Sequence, residues 1–565
     1  MFRKSVLPRA FAGVAAIAAL ALTASACSSS PKPSSTTGTG NNGSTSATLS
    51  IESAPVSPFT DDFNPFVQTS IANTVNATSL LYEPLLQWNI TKSDSYYPWL
   101  ADSFTWNSDG TAVTFKMHAG VKWSDGRPLT AKDVAYTFQL MQQNKALNGN
   151  GLPITGATAA DDSTVTITFG SAQYTNLYAI SGQTFIVPQH IWSAQSDPAH
   201  WTDATPVGSG PYTLDKFSAQ GFTLKANASY WQGAPKISEV SFPSYVSNTT
   251  ANQALENGQI DWAGNYVTNI DQTYVAKDPS HNKYYFPATN TVVLILNVTK
   301  APFNDVKVRQ AVSAAVNRTE LSQVGETNYE PPATSSSGLL LPEFSGQVPS
   351  DLQNDLSASS DASKVSQIMT AAGYAKDGSG IWAKGGKEVS FAIEDPSSYT
   401  DYYTCATLIS QELKPLGFAV SVNGVTPDKW TADLNAGSFD AAIHWGGGGP
   451  SPFQQYDNWL DYNTSAPVGQ TANGDYGRYN NPAVQNALKA WAATNDPNQI
   501  TTQLGIVAHA MATDVPDVVL MYGAGWNEFN TKKFSGWPTK DDSYIDPRPN
   551  NPWLEYTVLH LTPAS

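Results

Sequence analysis

Hydrophobic positions repeat with a period of two in some segments of the chain and with the period of a helix in others. From Val113 to Met117, apolar and polar residues alternate as in a half-buried strand, and residues 165–169 repeat this pattern. Between these strands, Thr130 followed by Asp133 has the spacing of a helix cap ahead of an apolar helical face. Such interspersed periods predict a mixed α/β protein.

The second half of the chain contains a strand predicted to be buried on both faces, because residues 292–296 are continuously apolar. Apolar residues at helical spacing predict a helix over 405–416, with Gly417 as its stop signal. A strand predicted over 440–445 runs directly into four glycines and Pro450. Because a backbone without side chains can approach another group closely, this turn is a candidate part of a binding site.

Composition excludes several classes of function. The 31 Lys and Arg against 47 Asp and Glu leave a net charge of −16, which disfavours a nucleic-acid partner. With 41% hydrophobic and 14% charged residues, the chain can form a globular body. Two cysteines, Cys27 and Cys405, cannot build a disulfide framework or a Cys-rich metal site. Cys405 lies on the apolar face of its predicted helix, which favours a buried small hydrophobe over a catalytic thiol.

The first residues have the pattern of an export signal. Basic residues precede a twelve-residue apolar stretch, Phe11 to Leu22, that is too short to span a bilayer. Small residues then lead to Cys27, as in a bacterial lipobox, although Ala24 stands where leucine is usual. We therefore predict a lipoprotein signal peptide over 1–26 and lipidation of Cys27. Residues 27–47 are predicted to form a flexible tether, about 25 Å long on average.

Several segments resemble the family 5 solute-binding proteins of ABC importers, which include dipeptide, oligopeptide, nickel and cello-oligosaccharide receptors. The matching segments follow the order of the family along the mature chain: LYEPL at 81–85, PWLADSF at 98–104, GVKWSDGRPLTAKDV at 120–134, PVGSGPY at 206–212, PFNDVKVRQA at 302–311 and AAGY at 371–374.

The resemblance implies a two-lobed α/β clamp of the large, peptide-receptor type, with mixed sheets and an extra N-terminal subdomain. It places the first lobe with this subdomain at 48–288, the second lobe at 289–518 and a return to the first lobe at 519–565. Crossovers between the lobes are expected near 286–291 and near 515–521.

The ligand class is predicted from the glycine turn. Peptide receptors of the family hold the ammonium group of the peptide with an aspartate that falls at Gly448, and a second acid of their motif falls at Ser451. Because a buried ammonium without a counter-charge is costly, this turn favours an uncharged guest. An oligosaccharide of the cello or manno type is the predicted ligand, with an oligopeptide as the alternative.

Aromatic side chains suit sugar binding because their faces stack on the C–H surfaces of sugar rings. Packing in a core is the alternative role for each tryptophan apart from Trp445. The residues predicted to bind ligand are Asn64, Trp262, Tyr266, Trp445, Gly446, Gly447, Gly448, Phe453, Tyr456 and Trp526.

No cofactor or metal is predicted, because the seven histidines form no ligand motif. His444 is expected to face away from Trp445, its neighbour on the strand, as a packed histidine. A secreted glycoside hydrolase is the competing class, but no local pattern nominates its two carboxylates. We therefore predict a monomeric receptor rather than an enzyme. It would be lipid-anchored at the extracytoplasmic face of the cell membrane, with ABC permease subunits as partners.

Overall fold

The computed structural model describes residues 48–341, 343–446 and 449–564. The predicted signal peptide, Cys27 and the tether lie outside these residues, as do Gly447 and Gly448. The strands up to residue 284 are β1 (Thr48–Glu52), β2 (Leu86–Asn89), β3 (Ser95–Pro98), β4 (Ala101–Trp106), β5 (Ala112–Met117), β6 (Ile154–Ala159), β7 (Thr164–Phe169), β8 (Tyr212–Ser218), β9 (Gly221–Ala226), β10 (Glu239–Pro243), β11 (Trp262–Ala263) and β12 (Asn282–Tyr284). The later strands are β13 (Ala288–Leu296), β14 (Ala375–Lys376), β15 (Trp382–Lys384), β16 (Lys387–Glu388), β17 (Ser390–Pro396), β18 (Ala419–Val425), β19 (Ala441–Trp445), β20 (Asp517–Ala524), β21 (Glu528–Asn530), β22 (Phe534–Ser535) and β23 (Thr562–Pro563).

Helices connect these strands throughout the described chain. The α-helices are α1 (Ile71–Thr74), α2 (Thr78–Leu81), α3 (Ala131–Gln143), α4 (Leu177–Ser181), α5 (Gln189–Trp192), α6 (Asn248–Glu256), α7 (Ile270–Thr273), α8 (Val306–Ala315), α9 (Arg318–Glu320), α10 (Ala362–Ala371), α11 (Thr400–Leu416), α12 (Pro427–Ala436), α13 (Pro452–Leu460), α14 (Pro482–Ala492), α15 (Pro497–Asp514) and α16 (Leu554–His560). A π-helix follows α9 at Leu321–Gly325, and short 3-10 helices lie at Lys145–Leu147, Tyr174–Asn176, Val275–Lys277, Ser350–Leu352 and Tyr462–Thr464.

The first lobe is built on a seven-stranded mixed sheet in the order β12-β21-β11-β1-β10-β9-β8. Strand β1 is parallel to both of its neighbours, β10 and β11, whereas β21 is antiparallel to β11 and β12. Since β21 comes from the C-terminal part of the chain, both ends of the described chain build this lobe. Its core includes Leu49, Phe242 and Trp262 of the sheet and Leu554 of α16.

An extra subdomain of the first lobe contains the antiparallel sheet β4-β5-β7-β6, with α3 packed against it. The sequence pattern is confirmed here, because β5 and β7 pair directly and Phe115 and Phe138 are both fully buried. Helix α3 begins with the predicted cap, in which the backbone N–H of Thr130 donates to the Asp133 carboxylate at 2.9 Å.

The second lobe contains a five-stranded sheet in the order β18-β17-β19-β13-β20. The predicted buried strand is confirmed as β13, which lies between β19 and β20 and is antiparallel to both. Helix α11 covers the predicted segment and ends before Gly417, and the side chain of Cys405 is fully buried in the adjoining core.

The chain crosses between the two large sheets at two segments, residues 285–287 and 525–527, which we call the crossing segments. They are hydrogen-bonded to each other, from Tyr285 N to Asn527 O at 3.0 Å and from Gly525 N to Pro287 O at 2.7 Å. Strand β20 stays in the second sheet through Ala524, later than the predicted boundary at residue 518. Every residue of β20 is buried, so its apolar pattern alone did not mark where the chain leaves the sheet.

Gly208 packs directly against the backbone of Leu81 in the first lobe, and this contact leaves no room for a side chain at position 208. A Cβ atom built there would fall 1.8 Å from the backbone oxygen of Leu81. Because backbone cannot swing away as a side chain can, we expect Gly208→Ala to lower the free energy of unfolding by about 3 kcal/mol. Gly505→Ala is the matched control. It places its methyl in open space within α15 and should raise stability by ~0.5–1 kcal/mol. Denaturant unfolding of both variants measures the two effects, and equal stabilities would contradict the prediction.

Candidate functional site

Trp445 stands at the end of β19 in a stack of aromatic rings. Its ring lies 5.9 Å from Tyr402 and 5.8 Å from Trp430, centroid to centroid, with interplanar angles of 28° and 30°. Trp445 and Tyr402 are partly exposed, so solvent reaches this stack. Such a stack can present an aromatic surface to a ligand.

His444 does not face away from Trp445, as the strand alternation predicted. The two rings lie 4.8 Å apart, and His444 also stacks on Trp430 at 5.1 Å. Trp445 is the last residue of β19, so the alternation of the strand no longer sets the direction of its side chain. Burial lowers the pKa of His444 to about 4, and the histidine is therefore a neutral member of the stack at neutral pH.

A cavity of about 340 Å³ lies where the two lobes meet. The first lobe contributes mainly aromatic side chains, and the second lobe contributes the segment after the glycine turn. The lining includes Trp88, Tyr96, Phe104, Trp106, Tyr174 and Tyr178 from the first lobe, and Pro450, Ser451, Pro452, Gln454, Trp491 and Asn495 from the second. Hydrogen bonds join the lobes beside it, from Asp94 N to Pro450 O at 2.8 Å and from the Gln454 amide to Thr175 O at 2.6 Å.

A second set of rings lies at the crossing segments and beside them. We call it the hinge aromatic group; it consists of Phe286 and Trp526 of the crossing segments and of Tyr266 and Tyr329, which contact Trp526. Trp526 is its centre, with ring centroids 5.5 Å from Tyr266, 5.0 Å from Phe286 and 5.9 Å from Tyr329. Each of the four is partly exposed. The structure thus brings Tyr266 and Trp526, both predicted to bind ligand, into direct contact.

Four carboxyl groups of the second lobe form what we call the acid group: Glu326, Glu330, Asp395 and Asp401. Glu330 is fully buried and accepts hydrogen bonds from Ala524 N at 2.9 Å and from the Tyr402 hydroxyl at 3.2 Å. Glu326 is also fully buried and accepts a hydrogen bond from the Cys405 thiol at 3.5 Å. Tyr402 thereby connects the acid group to the Trp445 stack.

Burial dominates the electrostatics of the acid group. Burial, together with the neighbouring charge of Asp401, raises the pKa of Glu330 to about 8 and that of Asp395 to about 9. The pKa of Glu326 rises well above its usual range because of burial and the charges of Glu330 and Asp401. Burial also raises the pKa of Asp401. The glycine turn thus lacks a carboxylate, as the sequence showed, but Glu330 is hydrogen-bonded to Tyr402, whose ring stacks on Trp445.

Sequence reasoning missed the acid group because its members come from separate parts of the fold. Glu326 and Glu330 follow the π-helix, Asp395 lies near the end of β17, and Asp401 begins α11. One signal was available in the sequence. Acids between a buried strand and the following helix often line a crevice at the carboxyl end of a sheet.

Four residues predicted to bind ligand are buried and partnered within the protein. The Trp262 indole donates to Asn527 at 2.8 Å, and the Tyr456 hydroxyl donates to Ser337 O at 2.9 Å. Phe453 packs on Trp491 in the core, and the Asn64 amide donates to two backbone carbonyls of the first lobe. These are packing roles, the alternative that the sequence left open for Trp262. Gly446 is also buried, and its N–H donates to Thr291 O at 2.8 Å.

The comparison with known families decides the class of protein. The sequence model for "Bacterial extracellular solute-binding proteins, family 5 Middle" matches residues 95–467. The chain belongs to this family. The nickel-binding periplasmic protein of Escherichia coli K12 is 27% identical over 408 residues, covering 68% of this chain and 73% of that protein.

Solved structures of family 5 proteins have the same two-lobed fold. A periplasmic oligopeptide-binding protein of an ABC transporter from Thermotoga maritima superposes with a TM-score of 0.84 at 23% identity, covering 92% of this chain and all of that chain. The same Thermotoga maritima protein bound to mannohexaose superposes with a TM-score of 0.78 over 92% of this chain and 99% of that chain. The two-lobed α/β fold expected from the sequence is confirmed.

Family 5 membership establishes the general function. The protein is the extracytoplasmic solute-binding component of an ABC importer, and the family consists of receptors rather than enzymes. The hydrolase alternative is therefore without support. Within residues 48–341, 343–446 and 449–564, no three His, Cys, Asp or Glu side chains are arranged to hold a metal ion. No helix in these ranges is long and apolar enough to cross a membrane.

The raised pKa of Glu330 predicts a pH-dependent stability. The folded protein holds this proton up to about pH 8, whereas an unfolded glutamate loses it near its ordinary pKa. Its contribution is therefore complete below the unfolded pKa and is lost as the pH rises through the folded pKa. Glutamine stays neutral at both pH values. We therefore expect the free energy of unfolding of Glu330→Gln, relative to that of the native protein, to rise by ~1–3 kcal/mol between pH 5 and pH 8. Denaturant unfolding of both proteins at both pH values measures this. The prediction is contradicted if variant and native protein differ in stability by the same amount at pH 5 and at pH 8.

Proposed function

We propose that this receptor captures an oligosaccharide, of the cello or manno type, between its two lobes. The observation that supports this most directly is the cavity of about 340 Å³, whose first-lobe wall is made largely of aromatic rings. Its size falls within the range of small-molecule sites. Aromatic faces match the C–H surfaces of sugar rings, and a few polar groups then orient the hydroxyls.

Polar groups of the required kind lie on the second-lobe side of the cavity. Gln454, Asn495 and Ser451 offer amide and hydroxyl groups that can donate and accept hydrogen bonds. The Thermotoga maritima protein solved with mannohexaose gives this proposal further support, because a neighbour of the same fold binds an oligosaccharide. Trp445, at the start of the glycine turn, and Pro450, at its end, would present the second lobe to the same ligand.

Closure of the lobes is the proposed mechanism. The ligand contacts both lobes and therefore favours the closed arrangement over the open one. The size of this shift is set by the difference between its affinities for the closed and the open arrangement. The crossing segments would act as the hinge, because they are the places where the chain passes between the large sheets. The closed receptor then docks on permease subunits, which supply the ATP hydrolysis.

An oligopeptide is the second candidate ligand, and the acid group is the observation that favours it. The argument for a neutral guest depended on the missing carboxylate at the glycine turn. Glu330 and Asp401 place carboxyl groups elsewhere in the second lobe, beside Tyr402. A peptide ammonium group could meet them there.

Replacing rings at the two proposed contact surfaces tests the sugar site. Trp106→Ala removes a wall of the cavity, and Trp445→Ala removes the stack at the glycine turn. We expect each to weaken binding of cello- or manno-oligosaccharides by about 1–3 kcal/mol, the usual loss when a stacked aromatic ring is truncated. Tyr462→Ala, at a surface tyrosine that is 39% exposed, is the control and should leave affinity unchanged. Calorimetry with the full chain measures both, and binding of peptides but of no sugar would overturn the proposal.

We also propose that Cys27 carries the lipid that anchors a monomeric receptor to the outer face of the cell membrane. A diacylated cysteine provides a stable anchor, whereas a single chain binds only marginally. Cys27→Ser should therefore move the protein from the membrane fraction to the medium when it is expressed in its own host. Fractionation with immunodetection follows the protein. Retention of the variant in the membrane fraction would count against lipid anchoring.

A further inference from the structure

The turn between β2 and β3 joins the two lobes at the cavity. The backbone N–H of Ser93 donates to the Glu343 carboxylate, and the Gln347 side-chain amide donates to the Ser93 hydroxyl at 3.1 Å. The backbone N–H of Asp94 donates to Pro450 O at 2.8 Å. Asp94, Gln347 and Pro450 also line the cavity. This first-lobe turn is therefore held in place by residues of the second lobe that form part of the same site.

Asp94 has a backbone conformation that few side chains accept. Its φ of 49° lies in the left-handed region, which aspartate and asparagine adopt more often than most other residues that carry a side chain. Together with the hydrogen bond to Pro450, this conformation fixes the point at which the Asp94 side chain leaves the backbone. The position of the carboxylate is therefore tied to both lobes.

The Asp94 carboxylate is available to a ligand. Within the described part of the chain it accepts one hydrogen bond, from the Ser93 hydroxyl at 3.4 Å, which is long for a bond between oxygens. Asp94 is exposed, and it lines the cavity between the lobes. Since an ionised carboxylate has about four acceptor positions, most of them remain open to donors from a solute in the cavity.

Asp94 is the one charged side chain among the described residues that line the cavity. Besides the tyrosines, the polar lining side chains are the neutral hydroxyls and amides of Thr175, Gln347, Ser451, Gln454, Thr494 and Asn495. A hydroxyl group of a solute can donate to Asp94. A carboxylate of a solute would instead meet a like charge, and no lysine, arginine or histidine of the described lining would compensate it.

These features together match an uncharged sugar. The two oxygens of a carboxylate can accept hydrogen bonds from two neighbouring hydroxyl groups of one ring, and hydrogen bonds to a charged acceptor are stronger than those between neutral groups. An acidic sugar would place a second carboxylate beside Asp94 without a counter-charge, which is unfavourable. The cavity can therefore distinguish neutral from acidic sugars through one residue.

We propose that Asp94 determines the specificity of the receptor: its carboxylate binds a pair of hydroxyl groups on a neutral sugar and excludes sugars that carry carboxylates. The inference rests on the proposed sugar-binding function, and it assigns to that function a specificity residue and a class of excluded solutes. Because Pro450 of the second lobe holds the Asp94 backbone, the selection acts when the lobes are together.

The test compares sugars that differ at one kind of group. Cellotetraose and the β-1,4-linked tetramer of glucuronic acid share one backbone, and the acidic form has a carboxylate in place of each C6 hydroxymethyl group. β-1,4-Mannotetraose and the matching tetramer of mannuronic acid are the second pair. Calorimetry with the full chain at near-neutral pH and low salt should show the neutral sugar of the better-bound pair binding about 10- to 100-fold more tightly than its acidic counterpart.

Asp94→Asn tests the residue itself, because asparagine keeps the size of the side chain and tolerates the left-handed backbone. We expect this variant to bind the neutral sugar about 3- to 10-fold more weakly, since a charged acceptor is replaced by a neutral one. The acidic sugar should bind at least as well as before, because the like charge is gone. The preference for the neutral sugar should therefore fall by about 10-fold.

Asp541→Asn is the matched control. Asp541 is also an exposed acid, it lies outside the cavity in the C-terminal part of the first lobe, and its replacement removes the same unit of charge from a chain of net charge −16. This variant should keep the native preference, which separates Asp94 from the field of the whole protein. Added salt should narrow the native preference more than that of Asp94→Asn. Thermal unfolding confirms that both variants are folded.

The outcomes separate this inference from the function on which it rests. If the native protein binds neutral and acidic tetramers equally well, Asp94 does not select between them, and the sugar-binding function stands. The same conclusion follows if Asp94→Asn and Asp541→Asn change the preference by the same factor. If neither neutral tetramer binds to the native protein, both the sugar-binding function and the role of Asp94 are overturned.

Discussion

The pairing of β13 with β20 is the interaction on which both lobes depend. The two antiparallel strands run from Ala288 opposite Ala524 to Ile295 opposite Asp517, and they continue directly into the two crossing segments. Hydrogen bonds between those segments extend the pairing beyond the sheet. The chain therefore passes between the lobes as a ribbon of two hydrogen-bonded segments.

The candidate binding surfaces are attached to this ribbon. Phe286 precedes β13 and Trp526 follows β20, so the hinge aromatic group lies where bending would occur. Ala524 N, at the end of β20, donates to Glu330 and links the ribbon to the acid group. On the other side of β13, Gly446 N donates to Thr291 O and holds the start of the glycine turn. A change in the angle between the lobes would therefore move residues of the hinge aromatic group, the acid group and the glycine turn.

The acid group shows how a cluster of buried carboxyl groups can oppose stability. Buried carboxyl groups favour the protonated form, and several in one place favour it more strongly because their charges repel. A core of apolar residues would be more stable at this position.

Local sequence determined the elements of this protein, since periodicity and caps act over a few residues. It placed the strands at 113–117 and 292–296 and the helix after Thr130, and the family motifs identified the two-lobed receptor class. Tertiary structure alone decided which side chains meet. Trp262 and Tyr456 became core residues, whereas Glu330 and Asp401, from distant segments, came together beside Tyr402. Burial and long-range charge depend on the packing of whole elements, so no local pattern of residues encodes them.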